Sequence, residues 1–462
     1  MIEPLKFYLI TDLHYYDKSL GIEGNAFKKL CDTDQKSLAE TGEIIDAYFD
    51  KILSDNEIDT VLIAGDLSCN GAMESHLGLV KKLDRLKKCG KKIYVITATH
   101  DYFDTVDGTG RAEKCVGDKI LSATPTKRDE LLDIYKDFGL CDAISVHRES
   151  HSYSVNLGKG YRLLCLNDDG DKIHCGYGDS QWKWIENEVN DAKNKGEFVF
   201  AMTHHPVLPP TPMYELFSEG NLIYKHNETA EKLANLGVKL VFTGHAHMMN
   251  IGKITTEKGN DFYDVNTSSL VGYPSVMRKV ILTNEKAQIK SLTIDNFKGL
   301  PKNMTVDEFL YPMLHNFLDD IFYSAGYNIP HLAEDLANAI SFSPNQVYEL
   351  KTILSIGGKF INKVTLGSLG YIFFMGKTED FLKNITIKDF VIEIIENLFY
   401  GDEPYTPETP QYKYAEKLFK RIKSLLHFSK HREKISNILD AVLDGAFYDK
   451  APCDWNCTLD FN

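Results

Sequence analysis

The chain has 462 residues, 43% hydrophobic and 26% charged, with a formal net charge of −14 and a pI near 5.6. That length predicts two or three domains, and the composition is that of soluble globular protein. An acidic balance excludes broad electrostatic binding to a nucleic-acid polymer or an anionic membrane, since both need a basic surface; a small anion held through metal ions remains compatible, because an ion reverses the local field.

In chain order, the opening "MIEPLKFYLITDLH" enters a strand at once. It has no basic region, apolar signal or cleavage site, so a cytoplasmic protein is expected. Apolar runs follow at "FYLI", "TVLIAG", "KIYVIT", "YRLLCLN", "EFVFAMTH" and "KLVFTG", and amphipathic patterns such as "GEIIDAYFDKIL", "HLGLVKKLDRLKKC" and "SQWKWIENEVNDAKNKG" lie between them. Short buried strands alternating with helices predict a layered α/β domain. "DFYDVNTSSL", "SVMRKVIL" and "AQIKSLTI" then read as consecutive strands.

After "NFKGLPKNMT" the pattern becomes helical, with no convincing strand to the end. Thr305 with Glu308, and Ser343-Pro344 with Gln346, have the spacing of capping boxes. Helical spacing recurs in "EFLYPMLHNFLDDIFYSAG", "FVIEIIENLFYG" and "AEKLFKRIKSLLHFSKHREKISNILDAVL". The expected division is an α/β domain over 1–298 and an all-α C-terminal domain over 299–462. The apolar "VTLGSLGYIFFMG" is 13 residues long, below the roughly 18–20 a membrane span needs, and reads as a core helix. The nine cysteines are scattered and read as reduced thiols, Cys453 and Cys457 included, since no second pair or histidine lies near them.

Five short motifs each follow an apolar run: Asp12-Leu13-His14, Gly65-Asp66, His100-Asp101, His204-His205 and Gly244-His245-Ala246-His247. Ligands of open α/β sheets bind beyond the carboxyl ends of strands, so five strands can deliver these groups to one place. Aspartates and histidines without cysteine suit a divalent Mn, Fe, Zn or Ni ion. Asp12 and His14, two apart, share a face in extended chain and can chelate one ion, and Asp66 at a loop tip has two oxygens with which to bridge two. Each motif alone is weak. Six of the fifteen histidines fall in these motifs, however, which packing alone does not explain.

The order D-x-H, G-D, His-Asp, His-His, G-H-x-H resembles the calcineurin-like metallophosphoesterase family over roughly residues 5–295. The resemblance implies a four-layer β-sandwich flanked by helices, with a centre of two divalent metal ions. "GDLSCNG", "HHP" and "TSSLVGYPSVMR" further resemble a bacterial branch with a helical C-terminal domain, to which cyclic-nucleotide phosphodiesterases belong. Carried over by residue, the resemblance gives Asp12, His14 and His247 to the first ion, Asp66 to both, and His204 and His245 to the second. It places His100 beside the substrate phosphate, stabilising charge or protonating the leaving oxygen, with Asp101 orienting it. His205 stands behind the ligands or against the substrate. The implied reaction is hydrolysis of a phosphodiester, cyclic nucleotides included, through a metal-bridging hydroxide. Phosphomonoester hydrolysis is the alternative, and a non-catalytic binding module the competing class. The implied partner is a small phosphoester such as a nucleotide. The helical domain is left to cap the site or to make a homodimer.

One motif departs from the family pattern. Where G-N-H-D or G-N-H-E is expected, the chain has Ala98-Thr99-His100-Asp101. Thr99 stands at the position of an Asn ligand of the second ion, and its hydroxyl is shorter and a weaker donor. Ala98 replaces a glycine and would be strained wherever a positive φ is required. Three outcomes follow: a looser second metal, a mostly empty second site, or a protein that binds without turnover. Elsewhere, Tyr214 and Phe217 in the Pro-rich loop after His205 are candidates to stack a base, Arg111 to reach a phosphate, and "NDDGD" reads as a solvated acidic loop.

Overall fold

A computed structural model describes residues 3–32, 34–103, 112–169, 175–212, 214, 221–333, 351–427, 432–448 and 452–461. The chain divides into two compact units, one of residues 1–210, 221–313 and 452–462, the other of 211–220 and 314–451.

In the first unit, β1 (Leu5–Ile10), β2 (Thr60–Ala64) and β3 (Lys92–Ile96) run parallel, and a hairpin, β4 (Glu113–Val116) with β5 (Lys119–Ser122), follows. Next come β6 (Ser145–His147), β7 (Ser152–Gly158), β8 (Tyr161–Cys165), β9 (Phe198–Met202), β10 (Leu240–Thr243), β11 (Asn250–Thr255) and β12 (Asp261–Asn266). The unit closes with β13 (Met277–Leu282), β14 (Lys286–Leu292) and β15 (Asn456–Asp460). One sheet has the order β15-β14-β13-β1-β2-β3, the other β11-β12-β10-β9-β8-β7-β6. Within the second sheet β8, β9, β10 and β12 are parallel.

Period-two alternation decides which residues fill which layer. Phe7 and Leu9 of β1 point between the sheets, where they join Leu62, Tyr94, Leu163, Phe200, Phe242 and Val265. Tyr8 and Ile10 point outward and pack with Ile44, Tyr48, Leu79 and Leu83 from the helices Thr41–Ser54 and Met73–Lys88. On the far side Leu164, Val199 and Val241 pack with Ile185, Val189, Ala230 and Leu233 from Asp179–Asn194 and His226–Leu236. The strands buried on both faces are those that read as continuous apolar runs. This is the four-layer sandwich the resemblance implies.

The second unit is helical over its described residues. Leu366, Met375, Phe390, Ile394, Leu398, Tyr412 and Phe447 form its core. Thr386 and Thr409 cap the helices Ile387–Tyr400 and Pro410–Leu425 through their side chains. In the first unit the Thr305–Glu308 capping box is present, with each partner bonding the other's backbone N–H. Its counterpart at Ser343 lies outside the described residues.

Several expectations are corrected. The terminal region is not wholly helical: β15 pairs with β14, so the chain returns to the first unit at its end. The signal is weak, because one side chain of "NCTLD", Leu459, is fully buried and the pairing edge comes from β14. Arg278, fully buried, donates to the carbonyl oxygens of Asp454 and Trp455 and secures the return. The division between units falls inside the helix Val306–Tyr327, since a continuous helix can serve two cores. "VTLGSLGYIFFMG" contains a helix of seven residues, Leu366–Ile372, and Tyr371 and Phe374 are 84% exposed. Among the described residues no helix is long and apolar enough to cross a membrane.

Candidate metal centre

The five motifs stand immediately beyond the carboxyl ends of β1, β2, β3, β9 and β10. Asp12 (φ 51°), His14 (φ 37°), Asp66 (φ 48°), His245 (φ 66°) and His247 (φ 55°) all occupy the left-handed region. Non-glycine residues avoid it, so five such conformations at one spot mark backbone held by its surroundings for a purpose other than stability. Backbone bonds hold the turns together: Asp12 N–H donates to Gly65 O (3.1 Å), His14 N–H to Asp66 O (2.9 Å) and Gly244 N–H to His204 O (3.0 Å). Two glycines are required by close approach. A Cβ on Gly65 would lie 2.6 Å from His204 Nδ1, and one on Gly244 2.1 Å from Thr11 Oγ1 and 2.3 Å from Asp12 Oδ2.

The side chains converge. Asp12 Oδ1 lies 3.2 Å from His247 Nε2, 3.5 Å from His14 Nε2 and 3.9 Å from His204 Nε2. Asp66 Oδ2 lies 3.2 Å from His204 Nε2 and 3.7 Å from His14 Nε2. His14 Nε2 and His247 Nε2 face each other at 3.1 Å. Three donor groups result: Asp12, His14 and His247; Asp66, His204 and His245; and His14, Asp66 and His100. Ligand atoms about 2.0–2.2 Å from one ion lie roughly 3.0–3.5 Å apart, and the shortest of these spacings would suit donors that share an ion.

The donor chemistry fits two divalent ions. Asp12 Oδ1 and His204 Nε2 are buried without a hydrogen-bond partner. An unsatisfied buried polar atom is costly, and several in one place point to a ligand that completes them. His204 Nδ1 sits 2.8 Å from Ala64 O; it donates there, which leaves the Nε2 lone pair aimed at Asp66. Burial, the largest single effect, opposes ionisation of both aspartates, but the surrounding histidines, His204 foremost, together outweigh it and hold the carboxyls of Asp12 and Asp66 well below their usual range. Burial likewise opposes charge on His204, and Asp66 and Asp12 lift its pKa to about 10. That proton occupies a place an ion would take.

Thr99–Asp101 form one 3-10 turn after β3. Ala98 has φ −144°, an extended conformation open to any residue, so its exchange for glycine costs nothing here. Thr99 is half-buried, and among the described residues its hydroxyl has no hydrogen-bond partner. Asp101 braces the turn rather than the His100 ring, correcting its expected part. Its carboxylate accepts from Ser68 N–H (2.7 Å) and Ala98 N–H (2.9 Å). The His100 ring meets Cys69 O through Nδ1 at 3.2 Å, and its backbone N–H reaches Asp66 Oδ1 at 3.3 Å. Burial and the Asp66 charge raise Asp101 to about 7. Beneath the turn, His76 Nε2 lies 2.7 Å from Asp101 O, and Nδ1 accepts from the Tyr135 hydroxyl at 2.7 Å.

His205 is buried, its ring 4.1 Å from that of His245, and its Nδ1 bonds Asp168 Oδ1 at 2.9 Å. It therefore packs against His245 and is braced by Asp168. Asp168 is the residue that sequence reasoning missed. Its Oδ2 accepts from Thr203 Oγ1 (2.8 Å), His204 N–H (3.1 Å) and His205 N–H (2.7 Å). Asn167, Asp168 and Asp169 are buried, so the reading of "NDDGD" as a solvated loop is wrong for them. The available signal was their place: an acid at the end of the apolar run of β8, as in the other motifs. Tyr214 falls in the segment 211–220 that belongs to the second unit. Phe217 and Arg111 lie outside the described residues.

The family model for calcineurin-like phosphoesterases matches residues 5–249. An uncharacterized metallophosphoesterase of Bacillus subtilis, YhaO, is 30% identical over 104 residues, which are 22% of this chain and 24% of the relative's length. Among solved structures, a dimetal phosphatase from Danio rerio is 14% identical with a TM-score of 0.43, over 63% of this chain and 96% of that one. Purple acid phosphatase PPD1 from yellow lupin is 12% identical with a TM-score of 0.37, over 63% and 52%. On the family match, which spans more than half of its residues, the chain belongs to the calcineurin-like phosphoesterase family.

Proposed function

We propose that the chain is a metal-dependent phosphoesterase that hydrolyses phosphodiesters, cyclic nucleotides among them, at the centre built by Asp12, His14, Asp66, His204, His245 and His247. The observation that carries the reading is the pair of buried carboxylates whose oxygens each face two or more imidazole nitrogens within 4 Å. Two divalent ions bound there supply Lewis acidity and a water of lowered pKa. The chain's own residues do the rest. Asp66 and Asp12 hold negative charge between the histidines, and His204 is locked in one tautomer by Ala64 O. His100, held through Nδ1 by Cys69 O and half exposed, would donate a proton to the leaving oxygen. Thr99, in the same turn as His100, would be the further ligand of the second ion, and its weaker donor supports a second reading, a weakened enzyme.

The test is metal content together with hydrolysis of bis(p-nitrophenyl) phosphate and p-nitrophenyl phosphate in excess Mn²⁺. Two ions per chain and turnover of the diester support the reading. Turnover of the monoester alone moves it to a phosphomonoesterase. Two ions with neither turnover leaves a binding protein, and no bound ion rejects the centre.

A further inference from the structure

The strand β12 carries none of the motifs, yet two of its side chains reach the turns that present His204 and His245. Asp264 and Asn266 stand two apart on one face of β12, and both are buried. Asn266 Nδ2 donates to Gly244 O at 2.6 Å and to Thr243 Oγ1 at 3.0 Å, so the amide grips the backbone immediately before His245. The Thr243 hydroxyl donates in turn to Asp264 Oδ1 at 2.6 Å. The other oxygen, Asp264 Oδ2, accepts from Val207 N–H (2.7 Å) and Leu208 N–H (2.9 Å), in the segment that follows His204 and His205. Behind β12, Arg278 donates to Asn266 O at 3.0 Å.

Packing alone does not account for this pair. Among the described residues Asp264 is met by a hydroxyl and two backbone N–H groups and by no cation, and burial pushes its carboxyl up to about 6. A buried charge without a counter-ion is costly. A strand that served stability alone would carry an apolar residue there, as it does at Phe262, two positions earlier on the same face. Asn266 Oδ1 is buried without a hydrogen-bond partner among the described residues, a second cost at the same place. Both costs fall where a fixed backbone is needed, since His245 is held at φ 66° and Gly244 lies close against Thr11 and Asp12. The arrangement repeats that of Asp168 at the end of β8, whose carboxylate bonds Thr203 and the His204 and His205 N–H groups. In the sheet, β8 and β12 flank β9 and β10, so the two ligand-bearing strands are gripped from either side.

We propose that Asp264 and Asn266 are positioning residues of the metal centre: by holding the turns after β9 and β10 they set the spacing of His204 and His245, and with it the affinity for the ion those histidines share with Asp66. The inference rests on the phosphoesterase reading of the centre. It carries a selectivity, because two of the three donors in that group stand on gripped turns, whereas Asp12 and His14 of the other group follow β1.

The test titrates the full chain with Mn²⁺ and reads stepwise affinity and electron paramagnetic resonance. Two neighbouring Mn²⁺ ions give an exchange-coupled signal, and a single ion gives the hyperfine pattern of an isolated one. The variants are Asn266→Ala, Asp264→Ala and Asp264→Asn. The last keeps an oxygen for Val207 and Leu208 and offers its amide to the Thr243 hydroxyl, whereas Asp264→Ala strands all three donors. In both Ala variants the weaker ion is expected to bind roughly 10–100-fold more weakly while the tighter ion is unchanged, so the coupled signal gives way to the isolated one. Asp264→Asn recovers part of the loss. If Asp264→Ala does not fold, Asn266→Ala decides. Equal weakening of both ions, as from a general loss of stability, overturns the inference, and so does an unchanged titration; either leaves the phosphoesterase reading standing. A wild type without a coupled signal in excess Mn²⁺ rejects the two-ion centre and the inference with it.

Discussion

Replacing Asp168 by Asn changes one oxygen to nitrogen and removes one buried charge. Four donors converge on the carboxylate: the Thr203 hydroxyl and the His204 and His205 N–H groups on Oδ2, and the His205 ring on Oδ1. An amide has one acceptor oxygen. The less costly arrangement turns that oxygen to the three donors and sets the NH₂ group against His205 Nδ1. The ring must then give up its proton at Nδ1 and its charge, which Asp168, against the cost of burial, now holds in place by raising the His205 pKa well above its usual value. Losing one charge-assisted bond costs about 1.5–3 kcal/mol, and the three retained bonds weaken as their acceptor becomes neutral. The sum is roughly 2–4 kcal/mol, large against a typical stability of about 5–15 kcal/mol. Because His205 packs on His245 and Asp168 positions the His204 backbone, metal affinity falls as well, by roughly 10–100-fold as for other supports of metal ligands. Urea unfolding of metal-free protein reads the first effect and chelator competition with Mn²⁺ the second. An Asn variant within about 0.5 kcal/mol of wild type, the limit for changes away from any such feature, and with unchanged affinity refutes this account of the Asp168 bonds.

Thr99→Asn is expected to tighten the weaker of two Mn²⁺ ions by at least on the order of tenfold in chelator competition. Equal affinities would place residue 99 outside the coordination sphere. Gly244→Ala forces a methyl onto Thr11 Oγ1 and Asp12 Oδ2, so it should cost about 1–3 kcal/mol and one bound ion; full metal content with unchanged stability would contradict the packing. His76 is neutral when folded, because burial lowers its pKa from 6.5 to about 4. The unfolded chain therefore takes up that proton first as pH falls. The His76 contribution to stability is complete above 6.5 and is lost through about 4, an amount near 3 kcal/mol. The difference between metal-free wild type and His76→Gln in denaturant unfolding should shrink by that much across this window, and a difference independent of pH would dispose of the assignment.

The sequence by itself determined the strands that are buried on both faces and the residue types at their ends. Apolar runs such as "FYLI" and "FVFAM" have no solvent-facing side to interrupt them, so their identity does not depend on where they pack. The aspartates and histidines that follow them are legible for the same reason: chemistry placed past a run that can only be interior. What required tertiary structure was everything set by distant partners. Polar strands such as β7, β11 and β15 exist because a neighbour offers an edge, and β15 finds its edge more than 160 positions back along the chain, as the Asn456–Lys290 pairing shows. Asp168 looks like a solvated turn until Thr203, His204 and His205 are brought against it. Asp101 looks like the partner of the adjacent His100 until the turn aims its oxygens at Ser68 and Ala98 instead. A local pattern records burial and residue type, whereas the direction of a hydrogen bond or the reach of a charge is fixed only when separate strands close on the same point.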